Sequence, residues 1–511
     1  MALSMNRTIG RSINRNNFLL FLAVGLVLGF RTRNANIFAD DAGFIHSFIN
    51  GDLNSYLRDF QTYVPGRNLH IFWQYSLYGI LGTSKFSFIA YHVLQSLLFV
   101  SVGYLINLIL LKLSVRRLVA SLIGLIFIFL PFNTMVLLWP SALPMHIFSS
   151  FFVLIFILIC VSQIISGRTN FGVATLLFFG TLAMFTYDQS AAVIIVLLLA
   201  IIYENIRAFF VNSRIRVIQF KKIEIFVAFL ILCIYASNFM LNRATGNGPI
   251  FTFESVSRLA VNLFPPLKVY KKLHSDPNYD FAKFFGLSLN TLLLVFSIAI
   301  LCLSLLILRL PNLRSLLFKM TFDLFSPTIL IWFGMGLIAY APIATWYISP
   351  RHLYLPFAFW SIGIGILIER LFSRITKRKI TEVSTGLLIF SILLFSALQF
   401  NNGISNWLQR DTLRQSTYAS ISNFENIHGD NLCFYVLNKN SDSENLFYSE
   451  QIPSALHFYA PNKSMSPAKC GNDDFKVSET ANFCNELTTR QKSRWFNLSP
   501  KPNFRLTPLC S

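Results

Sequence analysis

Apolar stretches, each close to the length that crosses a hydrocarbon layer about 30 Å thick, follow one another along this chain. They occupy residues 17–37, 86–111, 118–138, 144–166, 171–187, 190–206, 223–241, 286–308, 325–345, 353–369 and 383–400. Eleven such segments cannot all be buried in one water-soluble core. Charged residues make up 13% of the chain and hydrophobic ones 54%, whereas soluble domains carry roughly 25% charged residues. The sequence therefore predicts an α-helical polytopic membrane protein with about 11 transmembrane helices.

Sidedness follows from where Lys and Arg fall. One set of connections is short and basic. It holds Arg7/Arg11/Arg15, Lys112/Arg116/Arg117, Arg168, Arg207/Arg214/Arg216/Lys221/Lys222, Arg309/Arg314/Lys319 and Arg370/Arg374/Lys377/Arg378/Lys379. The other set spreads its basic residues over much longer loops and has none at 139–143 or 187–189. The first set reads as cytoplasmic, which puts the N-terminus inside and the tail outside. The formal charge of +20 then belongs to membrane topology, and nucleic acid is not an expected partner.

Only Phe18 to Phe30 is uninterrupted in the first segment. A 13-residue apolar run behind a basic stretch also fits the core of a signal peptide. The apolar trend continues to Phe38, the small-x-small cleavage pattern is poor and Arg31 and Arg33 can snorkel, so a retained helix is expected.

Residues 1–400 form the expected membrane domain and 401–511 a small mixed α/β extracytoplasmic domain. In the tail, 402–424 reads as helix, and 432–437 and 454–459 read as strands. Cys160, Cys233 and Cys302 lie in apolar runs, whereas Cys433, Cys470, Cys484 and Cys510 all lie in the tail. That distribution suggests an oxidising compartment and up to two disulfides, with three pairings open.

No nucleotide-binding loop, HExxH helix, GxSxG elbow or CxxC pair is present. Most apolar segments hold no Asp, Glu, Lys or Arg at all, which argues against ion-coupled transport. Acids and bases collect instead at the outer helix ends. Asp40 and Asp41 follow the first segment directly. Adjacent carboxylates repel, so one of them can hold a proton at unusually high pH; a helix cap or a hydrated loop is the plainer use of the same pair.

From Phe44 to Phe60 the apolar residues recur at three- and four-residue steps, opposite a stripe of His46, Asn50, Asn54 and Arg58. This spacing predicts one amphipathic interfacial helix, and 70–81 reads as a second interfacial piece. Three further outer features stand out. Tyr187-Asp188 sits at a hairpin tip. A basic-aromatic cluster with Lys271 and Lys272 suits anionic lipid headgroups. Arg351-His352-Leu353-Tyr354 opens the tenth segment, where an arginine suits phosphate.

In order and sidedness these pieces resemble the glycosyltransferase C (GT-C) superfamily. Asp40-Asp41, Tyr187-Asp188 and Arg351-His352-Leu353-Tyr354-Leu355-Pro356 carry the resemblance, the last being similar to the Arg-x-x-Tyr-x-Pro element of several members. The resemblance implies a membrane enzyme that moves a hexosyl or pentosyl group from a polyprenyl-phosphate donor to an extracytoplasmic glycan, lipid or protein acceptor. It implies Asp40 or Asp41, with Asp41 favoured, as general base. Arg351, with Arg67, Lys271, Lys272 and His352 behind it, would hold the phosphate. Asp188, Tyr187 and Tyr354 would shape the acceptor side. A divalent metal near Asp40, Asp41 and Asp188 fits this chemistry but nothing in the sequence demands it. A bacterial cytoplasmic membrane is the expected location. A polymerase or ligase of cell-surface polysaccharide, or a non-catalytic or flippase-like component of its assembly, is the alternative.

Overall fold

The computed structural model describes residues 2–36, 41–61, 67–166, 172–211, 221–244, 326–344, 350–374, 389–409, 411, 412 and 415, and four short strands in the tail. The segment expected at 286–308, Asp40, Lys271, Lys272, Cys470, Cys484, Cys510 and the strand expected at 454–459 lie outside the described residues.

The described part before residue 410 is helical. The elements are α1 (Ala2–Thr32), α2 (Asp41–Asn50), α3 (Leu53–Gln61), α4 (Asn68–Leu81), α5 (Lys85–Lys112), α6 (Arg117–Ile128), α7 (Asn133–Leu138), a π-helical turn (Leu143–Phe148), α8 (Ser149–Ser166), α9 (Val173–Thr186), α10 (Asp188–Val211) and α11 (Lys222–Ala244). They continue as α12 (Pro327–Ala344), a 3-10 turn (Pro350–Leu353), α13 (Tyr354–Arg374) and a helix, α14, over 389–409. Four of the described helical segments are long and apolar enough to cross a bilayer: Phe86–Lys112, Leu143–Ile165, Asp188–Arg207 and Arg351–Arg370. The protein is a polytopic helical membrane protein, as its apolar pattern requires.

Small residues let the helices close on one another. A Cβ on Gly103 of α5 would lie 2.8 Å from the carbonyl oxygen of Gly124 on α6, so only glycine permits this backbone approach. Gly25 and Gly29, one helical turn apart on α1, face Leu97 and Val93 of α5 in the same way. Helix α1 therefore lies along α5 as part of the bundle.

Two expected continuous elements are broken, each for a local reason. The segment at 118–138 is α6 and α7 separated at Pro131. Proline lacks the N–H that would bond the Phe127 carbonyl and its ring crowds that same oxygen. The side chain of Asn133 supplies the missing donor, its Nδ2 lying 2.6 Å from Phe127 O.

The single amphipathic helix expected over 44–60 is α2 and α3, divided at Gly51-Asp52. Asp52 begins α3: its Oδ1 accepts from Ser55 N at 2.8 Å and its carbonyl from Tyr56 N at 2.9 Å. This is a local side-chain to backbone arrangement that competes with helix continuation. The apolar stripe survives the break in part, with Phe44, Ile45 and Tyr56 buried and Ile49 at 48% exposure.

One end of the bundle is pinned by Glu369 near the end of α13. Its two oxygens accept from Arg116 N at 2.9 Å and Arg116 Nε at 2.8 Å. Helix α14 runs across residue 400 without interruption. It is tied to the end of α1 by Arg31 Nη2 donating to Ser405 Oγ at 2.9 Å, and just beyond it Asn36 Nδ2 donates to Asp411 Oδ2 at 2.7 Å.

In the tail, β1 (Cys433–Leu437), β2 (Phe475–Ser478), β3 (Trp495–Ser499) and β4 (Arg505–Pro508) form a sheet in the order β2-β1-β3-β4. Strand β1 pairs in parallel with β2 and β3, and β3 pairs antiparallel with β4. The strand expected at 432–437 is β1.

Candidate functional site

Trp139 to Ser141, the chain between α7 and the π-helical turn, organises the opposite end of the bundle. Trp139 leaves α7 in an extended conformation, so the carbonyls at this helix end need donors from elsewhere. Gln95 of α5 supplies one, its Nε2 donating to Val136 O at 2.7 Å and also to Trp139 O at 2.8 Å, which accepts from Ala142 N as well.

Asp41 and Arg351 meet this segment from different elements. Asp41, the first residue of α2, is fully buried, and its Oδ1 accepts from Ser141 N at 2.9 Å and from the Ser141 hydroxyl. Arg351, 6% exposed in the 3-10 turn before α13, stacks over the Trp139 ring with its guanidinium carbon 4.0 Å from the centroid. Trp139 and Ser141 are two residues apart, and consecutive Cα atoms lie about 3.8 Å apart. The expected base and the expected phosphate partner, separated by about 300 residues in sequence, thus share one three-residue anchor.

A second pair adjoins the first. The one-residue connection between α9 and α10 is Tyr187, extended, and Asp188 opens α10, where a carboxylate complements the helix dipole. Asp188 Oδ2 accepts from Arg67 Nη2 at 2.7 Å and Nε at 3.1 Å. The Arg67 guanidinium also lies 4.6 Å over the Tyr187 ring. Sequence reasoning gave Arg67 to phosphate and Asp188 to the acceptor; the structure joins them in an ion pair.

Three histidines close the cluster. His146, in the π-helical turn, packs its ring edge-on against Tyr187 at 4.8 Å and lies 5.6 Å from the His352 ring. The His352 carbonyl accepts from Gln189 Nε2 at 2.8 Å, which ties the 3-10 turn to α10. His70, three residues into α4 from Arg67, is fully buried against Phe44. Burial, with the Arg67 charge second, holds His70 neutral, its pKa pushed down to about 3. Tyr56 and Tyr78, beside Asp41, are pushed up, first by burial and then by the aspartate charge.

Tyr354 does not join the cluster. Its hydroxyl donates to Phe99 O at 3.3 Å and its ring stacks on Phe99 at 5.5 Å, so it packs the helical core. Among the described residues no three of His, Cys, Asp and Glu gather closely enough to hold a metal ion. His70, His146, Trp139 and Ser141 were not singled out from sequence. The π-helical turn, a form frequent at functional sites, has no linear signature here beyond the prolines at 140 and 144.

The class this arrangement defines is a helical membrane protein with buried acids, guanidinium groups and imidazoles gathered at one end of its bundle. No family model matches the chain, and no curated protein matches it. Solved structures similar to it include ArnT from Cupriavidus metallidurans bound to undecaprenyl phosphate, 12% identical over 87% of this chain and 88% of that one, with a TM-score of 0.37. The apo state of the same protein is 12% identical over 87% and 84%, with a TM-score of 0.38. Values this low carry no weight for activity, which has to be read from the chemistry of the cluster.

Proposed function

We propose that the cluster is the active site of a GT-C type membrane glycosyltransferase that moves a sugar from a polyprenyl-phosphate donor to a glycan, lipid or protein acceptor outside the cytoplasm. The observation that carries the reading is the meeting of buried Asp41 and Arg351 on Trp139–Ser141. Charged groups buried at the end of a membrane bundle are expensive, and where they persist they mark function.

The roles follow from the bonds that change. The acceptor hydroxyl gives its proton to a carboxylate as its oxygen attacks the anomeric carbon, and Asp41 is that base. Asp40 is the second candidate and lies outside the described residues. The bond from the anomeric carbon to the phosphate oxygen breaks, the electron pair leaves with the phosphate, and the configuration inverts. The departing group gains negative charge, so a fixed cation favours the transition state over the ground state. Arg351, planar and permanently charged, serves there, with its plane set by Trp139. Ser141 fixes the rotamer of Asp41, and Asp188 fixes Arg67 beside it. Lys271 and Lys272 remain candidates for the donor from outside the described residues. The wider reading keeps the N-terminus inside, the tail from about residue 401 as an outer domain, and a bacterial cytoplasmic membrane.

The test is sugar transfer by the purified full chain in lipid vesicles, from polyprenyl-phosphate sugars to envelope acceptors. Asp41→Asn should lower transfer by about 100-fold or more, the usual worth of a positioned base, while undecaprenyl phosphate still binds. Transfer close to wild type in both Asp40→Asn and Asp41→Asn would remove the carboxylate base. Movement of labelled lipid across the vesicle without any transfer would favour the flippase reading instead.

A further inference from the structure

His70 and His146 have no role in the reaction as drawn above, yet both are almost wholly removed from solvent, at 0% and 2% exposure. Neither ring nitrogen of His70 finds a hydrogen-bond partner among the described residues, nor does Nε2 of His146. Buried polar groups are nearly always satisfied in folded proteins, and a pair that is not, inside a site, calls for a partner that arrives from outside.

The surroundings indicate what that partner is. Arg351, Arg67 and His70 lie within electrostatic reach of His146, and Arg67 is the neighbouring charge for His70. The charged neighbours that act on the two imidazoles are thus guanidinium groups, while Phe44 and Tyr187 pack against their rings. A ligand that accepts several hydrogen bonds and carries negative charge completes such a set; a hydrocarbon or a cation does not.

We propose that His70 and His146 donate hydrogen bonds to the phosphoryl oxygens of the ligand, completing with Arg351 and Arg67 the pocket for the departing phosphate. The inference deepens the transferase reading and rests on it for the identity of the ligand. The Arg67 charge is already paired with Asp188, and Asp41 stands with Arg351 on the same Trp139–Ser141 segment. Imidazole donors then add stabilisation for the second charge that the phosphate gains on leaving, without a third cation that would also hold the product. A neutral imidazole can act in this way by hydrogen bonding alone.

Binding of undecaprenyl phosphate to the detergent-solubilised full chain tests this directly. His70→Ala and His146→Ala should each weaken binding by about tenfold or more, as expected for a lost hydrogen bond to a charged group. His146→Gln, which keeps an N–H donor, should recover most of it. Thermal melting of each variant shows that the fold is kept. Inorganic phosphate, used as competitor, separates the sources: histidine-dependent competition assigns the site to the phosphoryl group itself, and histidine dependence with the lipid only assigns it to a lipid-borne phosphoryl group. Folded alanine variants that bind the lipid phosphate as wild type does would overturn the inference, while Asp41-dependent transfer would leave the transferase reading standing. Histidine-dependent binding by a protein that moves no sugar would do the reverse.

Discussion

Both ends of α13 hold an arginine against a carboxylate or in a buried cluster, roughly 27 Å apart along the helix at 1.5 Å per residue. At the Glu369 end the pair is complete. Each carboxylate oxygen has a donor from Arg116, and the side chains are 39% and 18% exposed. At the Arg351 end the Arg67–Asp188 pair is 8% and 25% exposed and stands near His70, neither of whose ring nitrogens has a hydrogen-bond partner among the described residues, and His146, whose Nε2 has none there. The comparison teaches that an ion pair alone says little about function. The Glu369 pair closes its own account and fastens α6 to α13. The Arg67 pair adjoins imidazole nitrogens of His70 and His146 left open among the described residues, and the proposed site rests on that difference.

The contrast can be broken by removing one acid from each end. Asp188→Ala leaves the Arg67 guanidinium without its carboxylate in a mostly buried place, and a loss of about 3 kcal/mol in unfolding free energy is expected. Chemical denaturation in detergent would measure it, and a loss near zero would mean that the Arg67–Asp188 pair is no more than a surface contact.

Acid sharpens the comparison further. His70 stays neutral in the folded protein down to about 3, whereas in the unfolded chain it takes a proton near 6.5. Below 6.5 the unfolded state binds the extra proton, so stability falls as the pH drops through that window and is unaffected above it. The melting temperature should therefore fall between about pH 7 and about pH 5, and His70→Gln should reduce that fall. An equal fall in the variant would assign it elsewhere.

The smallest effect is expected at the other end. Glu369→Gln, at a pair that is partly solvated, should cost less than about 1 kcal/mol. A cost equal to that of Asp188→Ala would erase the distinction between the two ends.

Much of this architecture was legible in the linear pattern, because a bilayer imposes length and apolarity on any helix that crosses it. The second, fourth, sixth and tenth apolar stretches appear as helices of spanning length, and the strand at β1 follows its run of β-forming residues. The breaks at Pro131 and Gly51-Asp52 were visible as residues but not as outcomes. Whether a proline or an aspartate ends a helix depends on who satisfies the freed backbone, and the side chains of Asn133 and Asp52 do so here.

The site divides in the same way. Asp41, Asp188, Arg351 and His352 could be singled out because ionisable residues at the ends of apolar segments are rare and expensive, and Arg67 entered as a further phosphate partner that the resemblance implied. Tyr354 shared a motif with Arg351 but turns into the core to meet Phe99. His70 and His146 carried no such flag, since a lone imidazole in an apolar run reads as packing.

What the sequence alone determined is the kind of molecule and the set of polar residues gathered outside its apolar segments, since both follow from the transfer energies of side chains one at a time. Which of those residues meet was decided only by the tertiary structure. Asp41, Trp139, Ser141, Asp188 and Arg351 are brought together by close helix packing and by broken helix ends, and no local preference of the chain encodes a meeting between residues hundreds of positions apart.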